Sequence, residues 1–163
     1  MVLLTDADIK VLIDERKILN KPKEFNPILV EKLDKWEYKK KLNGANKHTF
    51  QIYIWKSKHR ERIFSVGLFV QIGGDWVPLK RYNGDQVHTN KIEKTRVKGY
   101  HIHQATERYQ RAYNDIDGFA VETRNYTTWE GALKQLIRDN HVGPEIPHSQ
   151  QLFKKDDDVV RMG

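Results

Sequence analysis

His101-Ile102-His103 puts two imidazoles two residues apart. On a strand, residues at that spacing share a face, so both rings point one way and Ile102 points the other, toward a core. Continuing the same face adds Ala105, Glu107 and Tyr109. Two histidines and a carboxylate on one polar strand face admit three readings: half of a metal site, an acid/base pair, or solvent-facing decoration. Upstream, Leu79-Lys80-Arg81-Tyr82-Asn83 is followed by Val87-His88-Thr89-Asn90. Arg81 and His88 reach the His-x-His face if the two strands pair and the loop folds over them; the bland alternative is a basic strand end beside a polar loop. Cleavage of RNA needs this set of parts: a base for the 2′ hydroxyl, an acid for the leaving 5′ oxygen and a cation over the developing charge. Histidine suits both proton roles because its ordinary pKa lies near neutrality, and arginine suits the phosphate. The candidate catalytic residues are therefore His88, His101, His103 and Glu107. The candidate nucleic-acid contacts are Lys80, Arg81, Tyr82, Arg96, Lys98, Tyr100 and Tyr109. Tyr53, Trp55, Trp76 and Tyr82 offer stacking surfaces, with at least two of these four expected in the core.

The elements that must position these groups follow from periodicity. Thr5 with Asp8 reads as a capping box opening a helix from about Asp6 to Lys17, with Ile9, Leu12 and Ile13 on one face. Asn20-Lys21-Pro22 and Asn26-Pro27 punctuate the next stretch, and residues 18–33 stay ambiguous. Asp34 to Leu42 alternates as a strand, and Thr49 to Trp55 follows with Phe50, Ile52 and Ile54 on one face and Gln51, Tyr53 and Trp55 on the other. Arg62 to Ile72 is a third strand, ending in the hairpin signal Gly73-Gly74-Asp75. Trp76 to Tyr82 returns, with Pro78 pointing to an edge or a bulge because proline cannot donate to the ladder. A polar connection runs to Lys98, then Gly99 to Tyr109 reads as a strand and Phe119 to Thr123 as a short one. Thr127 with Glu130 reads as a second capping box, opening a helix that ends near Asn140. These elements predict an α+β fold: a mainly antiparallel sheet of about five or six strands flanked by an N-terminal and a C-terminal helix. The single domain spans 1–148, and 149–163 is a polar tail.

Composition narrows the function. The chain has 163 residues, 38% apolar and 31% charged, a net charge of +7 and no cysteine. Disulfides, thiolate metal sites and a cysteine nucleophile are excluded. No P-loop, GxGxxG, HExxH or GxSxG occurs, so nucleotide-fuelled and serine-hydrolase chemistry lose support, and no metal or other cofactor is assigned. The longest strongly apolar run, Ile63 to Ile72, is about half a bilayer span, which predicts a cytoplasmic protein with no membrane association. The positive charge is localised. Residues 48–113 carry 12 basic and 5 acidic side chains, a balance of +7, while 1–47 and 114–163 carry +3 and −3. Five of the seven histidines share that basic segment, so the titratable groups and the positive field coincide.

Leu79 to Tyr109 resembles a group of small, largely uncharacterised prokaryotic proteins in which a leucine-arginine strand leads to a His-Thr-Asn element and then a His-x-His strand. More distantly it resembles the small ribonuclease-like toxins of toxin–antitoxin pairs. The matching positions are Arg81, Asn83, His88, Thr89, Asn90, His101, His103 and Glu107. Asn90-Lys91-Ile92-Glu93 stands where the group has Asn-Pro-Asp-Gly, and Asn83 stands where an aspartate is expected. His-x-His with a glutamate four residues on also matches half of a cupin metal site, but the glycine spacing differs and no second motif follows. The resemblance implies a mobile-element or defence context and ribonuclease activity; with the basic, histidine-bearing segment, the expectation is a metal-independent endoribonuclease with RNA or another nucleic acid as partner, and a cognate antitoxin or other protein partner. The rival expectation is a binding module without catalysis: an adaptor, or a phage-type inhibitor of a nucleic-acid enzyme. Oligomeric state is left open by the sequence.

Overall fold

The computed structural model describes residues 3–146. In chain order the elements are α1 (Asp6–Asp14), β1 (Lys17–Ile18), a single 3-10 turn (Pro22–Glu24), β2 (Val30–Glu31), β3 (Lys35–Asn43), β4 (Thr49–Ser57), β5 (Phe64–Ile72), β6 (Asp75–Asn83), β7 (His88–Asn90), β8 (Thr95–Val97), β9 (His101–Gln104), α2 (Glu107–Tyr113), β10 (Phe119–Glu122), α3 (Trp129–Asp139) and β11 (Val142–Gly143). Seven strands form one antiparallel sheet in the order β10-β9-β6-β5-β4-β3-β2. The α+β architecture with flanking helices is the one the periodicity predicts, with one more strand in the main sheet. No described helix is long and apolar enough to cross a membrane.

Alternation decides which side of the sheet is core. Phe50, Ile52 and Ile54 of β4 stand beside Val70, Leu68 and Val66 of β5, and all six are fully buried. Ile9 and Leu12 of α1 and Ala132, Leu133 and Leu136 of α3 join the same cluster. Pro78 lies inside a central strand: the β5–β6 register shifts between Leu68 and Phe69, and Leu79 is the extra residue. A bulge, not an edge, is how the ladder accommodates the missing donor.

Four sequence expectations are corrected. The helix expected to reach Lys17 ends at Asp14, because Glu15 is extended and leads into β1. The chain there pairs parallel with β11, Lys17 opposite Val142 and Ile18 opposite Gly143. The Lys17 side chain is fully buried and its Nζ donates to the carbonyls of Leu12 (2.8 Å) and Ile13 (2.5 Å), satisfying the end of α1. The polar connection from Tyr82 to Lys98 contains the small β7–β8 hairpin. The strand expected over Gly99–Tyr109 stops at Gln104. The Ala105 amide still bonds Leu79, but Thr106 then caps α2 by accepting from the Tyr109 amide, and Asp6 accepts from the Glu107 amide. α3 is capped by Thr128, which accepts from the Gly131 amide, one residue beyond the Thr127–Glu130 box expected. The Thr5–Asp8 capping box is present in both directions. The proposed tail from 149 lies outside the described residues.

Candidate functional site

β6 and β9 pair antiparallel with Arg81 opposite His103 and Asn83 opposite His101. Tyr82 and Ile102, one residue out of step, turn to the core. Arg81, Asn83, His101 and His103 therefore share the sheet face away from the helices. The β7–β8 hairpin packs against β10 at this end of the sheet and brings His88 in. The His88 ring centroid lies 4.5 Å from that of His103 and 6.0 Å from that of His101, and the latter two are 5.0 Å apart. His101 and His103 are not surface decoration; they are 2% and 5% exposed.

Backbone carbonyls select the tautomers. The carbonyl of Gly99 faces His101 Nδ1 at 2.8 Å, that of Asp117 faces His103 Nδ1 at 2.8 Å, and that of Gly118 faces His88 Nε2 at 2.6 Å. A carbonyl only accepts, so each of these nitrogens carries its proton and donates it. The lone pair is left on Nε2 of His101 and His103 and on Nδ1 of His88. None of these three nitrogens is a sealed, unpartnered atom; the only such side-chain atoms among the described residues are Oδ1 of Asn83 and Asn140.

Arg81 directs its Nε at Asp117 Oδ2 in an ion pair; Asp117 is buried, and Arg81 keeps about a third of its side chain exposed at 31%. Burial, with the Arg81 charge beside it, pushes His103 down to about 3. Burial likewise lowers His101. It pushes Asp117 up, against the pull of Arg81. At neutral pH the two strand histidines are uncharged, and His103 is too weak a base to act as a protonated acid there.

The hairpin is held from two sides. Asn90 Nδ2 donates to the Ala120 carbonyl (2.8 Å), and Asn90 Oδ1 accepts from the Ala120 amide (2.9 Å), so one side chain replaces a strand neighbour. At the tip, Tyr109 accepts from the Ile92 amide and donates to Glu93. His88 is thereby positioned by contacts to elements about thirty residues downstream in the chain.

Arg81, His88, His101 and His103 come together, with Asn83 opposite His101, and the other candidate catalytic and binding residues do not join them. Glu107 begins α2 and pairs with Arg111, because the strand that would have carried it has ended. Tyr109 is buried as the hairpin anchor. Lys80 stands in register with Leu68 on the core side. Tyr82 is in the core, its hydroxyl donating to Asp139. Tyr100 packs on Phe64 and Tyr126. Arg96 and Lys98 are exposed around the hairpin. Asp117 is not among the candidates drawn from the sequence, because Asn114 to Gly118, rich in Asn, Asp and Gly, reads only as a turn. The matching position Asn90 was noted without its clamp.

No family model, curated protein or solved structure matches the chain. The site must be read from its own chemistry. Among the described residues no three His, Asp or Glu side chains are disposed to hold a metal ion. The cavity of about 470 Å³ between Pro22–Pro27 and α3 is lined by Phe25, Trp129, Leu133 and Ile137 and holds none of the cluster. The histidine site is a largely buried cluster at one end of the sheet that meets solvent through Arg81 and His88.

Proposed function

We propose that the protein acts on RNA and that the cluster is a metal-independent phosphodiester-cleaving site, with His88 as the proton-transfer residue and Arg81 as the phosphate contact. One observation carries this reading: the two partly exposed members of the cluster, Arg81 and His88, both neighbour His103, one by strand register and one by ring contact. His88 Nδ1 accepts the 2′ hydroxyl proton as the 2′ oxygen attacks phosphorus. The P–O5′ bond breaks to give a 2′,3′-cyclic phosphate, and the proton is returned to the 5′ oxygen. The Arg81 Nη groups, left over from the Nε contact to Asp117, stabilise the charge that develops on the phosphoryl oxygens. His101 and His103, neutral and buried, position the His88 ring. The resemblance to small ribonuclease-like toxins supports the same reading and adds a mobile-element or defence setting with a protein partner.

Incubation of the protein with bulk RNA in EDTA tests it. Cleavage should fall by about 10²- to 10⁴-fold in His88→Ala; full activity in that variant removes His88 from the mechanism. A second reading, binding without catalysis, is favoured by the lowered pKa values of His101 and His103, which leave the strand pair without a protonated acid at neutral pH. It predicts binding that weakens steeply with salt while no RNA is cut.

A further inference from the structure

On the face away from the helices the register lines up two rows of side chains, half-buried or exposed over β3 and β4 and at Arg81, and buried at Gly67, Ser65, Asn83 and the two strand histidines. One row runs Lys39, Tyr53, Gly67, Arg81, His103; the next runs Glu37, Trp55, Ser65, Asn83, His101. Neighbouring strands lie about 4.8 Å apart, so three steps, about 15 Å, separate the β4 aromatics from the histidines. The core residues of α1 and α3 belong to the opposite face. Tyr53, Trp55 and Phe69 on this face are half-buried.

These rings are not equivalent. Tyr53 is already engaged: its hydroxyl accepts from Lys35 and donates to Glu37, Lys35 and Lys39 lie 5.7 and 5.2 Å from its ring centre, and Phe69 meets it edge-on at 6.4 Å. The Trp55 side chain has no hydrogen bond, cation or ring partner among the described residues, and its indole N–H is not sealed. Between the aromatics and Arg81 stands Gly67. A Cβ there would lie 2.7 Å from the Phe69 ring and 3.1 Å from the Arg81 stem, so the missing side chain lets both lie low and keeps the face flat. The charges favour an anion. Lys35, Lys39, Lys41 and Arg81 outnumber Glu37 and Asp117, and Asp117 is already paired with Arg81.

We infer that this face is a binding track for single-stranded RNA, with the Trp55 indole stacking on a base, Lys39 on the backbone, and the strand running toward Arg81 and His88, the partly exposed members of the cluster. A flat sheet carrying a free ring and cations takes unstacked bases; a duplex hides its bases and presents no such partner. The choice of RNA over single-stranded DNA rests on the cleavage reading above, which needs a 2′ hydroxyl. The track itself does not.

The test uses the full chain carrying His88→Ala and a labelled RNA of about twelve nucleotides, with its duplex and the DNA strand of the same sequence, read by fluorescence anisotropy. Single strands should bind more tightly than the duplex. Trp55→Ala in that background should weaken single-strand binding by roughly five- to a hundred-fold, Trp55→Phe should restore most of it, and Lys39→Gln should flatten the salt dependence. Lys134→Gln, on α3, serves as the unaffected control, and thermal melts show that the variants fold. Equal binding of duplex and single strand, or no loss in both Trp55→Ala and Lys39→Gln, overturns the track. Binding of poly-glutamate in place of every nucleic acid also overturns it, in favour of an acidic protein partner. If His88→Ala still cleaves RNA while Trp55→Ala loses binding, the cleavage reading fails and the track stands.

Discussion

On the helix-covered face of the sheet, neighbouring strands meet through Ile54 with Val66 and Ile52 with Leu68; on the other face, one residue along, they meet through Tyr53 with Gly67 and Arg81 with His103. Both faces have sealed residues. On the first, apolar contact does most of the sealing, and the Tyr82 hydroxyl, donating to Asp139, is a polar exception. On the second, with Asn83 Oδ1 as the exception, buried polar groups are held by named neighbours: His103 by the Asp117 carbonyl, Asp117 by Arg81, Asn90 by both backbone groups of Ala120. The first face tolerates any well-shaped hydrophobe, whereas the second fails when one partner is removed, because an orphaned buried group costs more than its bond contributed. The difference teaches where stability and function can be separated in this molecule.

The largest effect should come from breaking the apolar face. Ile54→Ala, at a fully buried position, should lose about 2–5 kcal/mol in denaturant unfolding without touching the histidine site. Arg81→Leu should come next, at about 2–3 kcal/mol, because it leaves Asp117 buried without its cation; the figure is below that of a fully buried pair since Arg81 is partly exposed. Adding Asp117→Leu should recover part of that loss, and a double variant no better than the single one would show that the pair is not coupled.

Acid should separate the faces by about 2 kcal/mol at pH 5. The folded state holds His103 at about 3, against an ordinary value of 6.5. Below pH 6.5 the unfolded chain therefore binds the proton first, and stability present above that pH is lost progressively down to about 3. His101 acts with the same sign. Asp117 acts with the opposite sign above 3.8, since burial raises its pKa. Urea midpoints between pH 7 and 5 should fall in the wild type and fall less in His103→Gln; parallel curves would remove His103 as the source. The smallest effect should be Asn90→Ala, at about 1–2 kcal/mol. Its signature is local: hydrogen exchange at the Ala120 amide should quicken while that of Ile54 is unchanged.

The same contrast explains what the sequence made legible. Strict alternation in Thr49–Trp55, and the long apolar run after Arg62, announce β4 and β5 because burial on one face leaves a period of two. The Thr5–Asp8 box announces α1 because capping is local. The β7–β8 hairpin announces nothing: three-residue strands have no period, and what holds them is a side chain reaching Ala120. The turn from strand to helix at Thr106 was hidden because His-Ile-His-Gln-Ala-Thr-Glu keeps alternating past the point where a cap takes over. Four members of the site were visible as residue types. Their burial was not, since it depends on the hairpin, and Asp117 lay in a segment that reads only as a turn.

The parallel pairing of Lys17 and Ile18 with Val142 and Gly143 has a consequence for the order of assembly. While the chain is being made, α1 emerges first, but the strand that flanks its end is nearly the last described segment to appear. Until then the Lys17 ammonium has reason to stay in water, and the last carbonyls of α1 go without their buried donor. The end of α1 is thus completed only once β11 is available to pair beside it. Loss of residues 142 and 143 should loosen the opposite end of the sequence before it disturbs α3, which immediately precedes them.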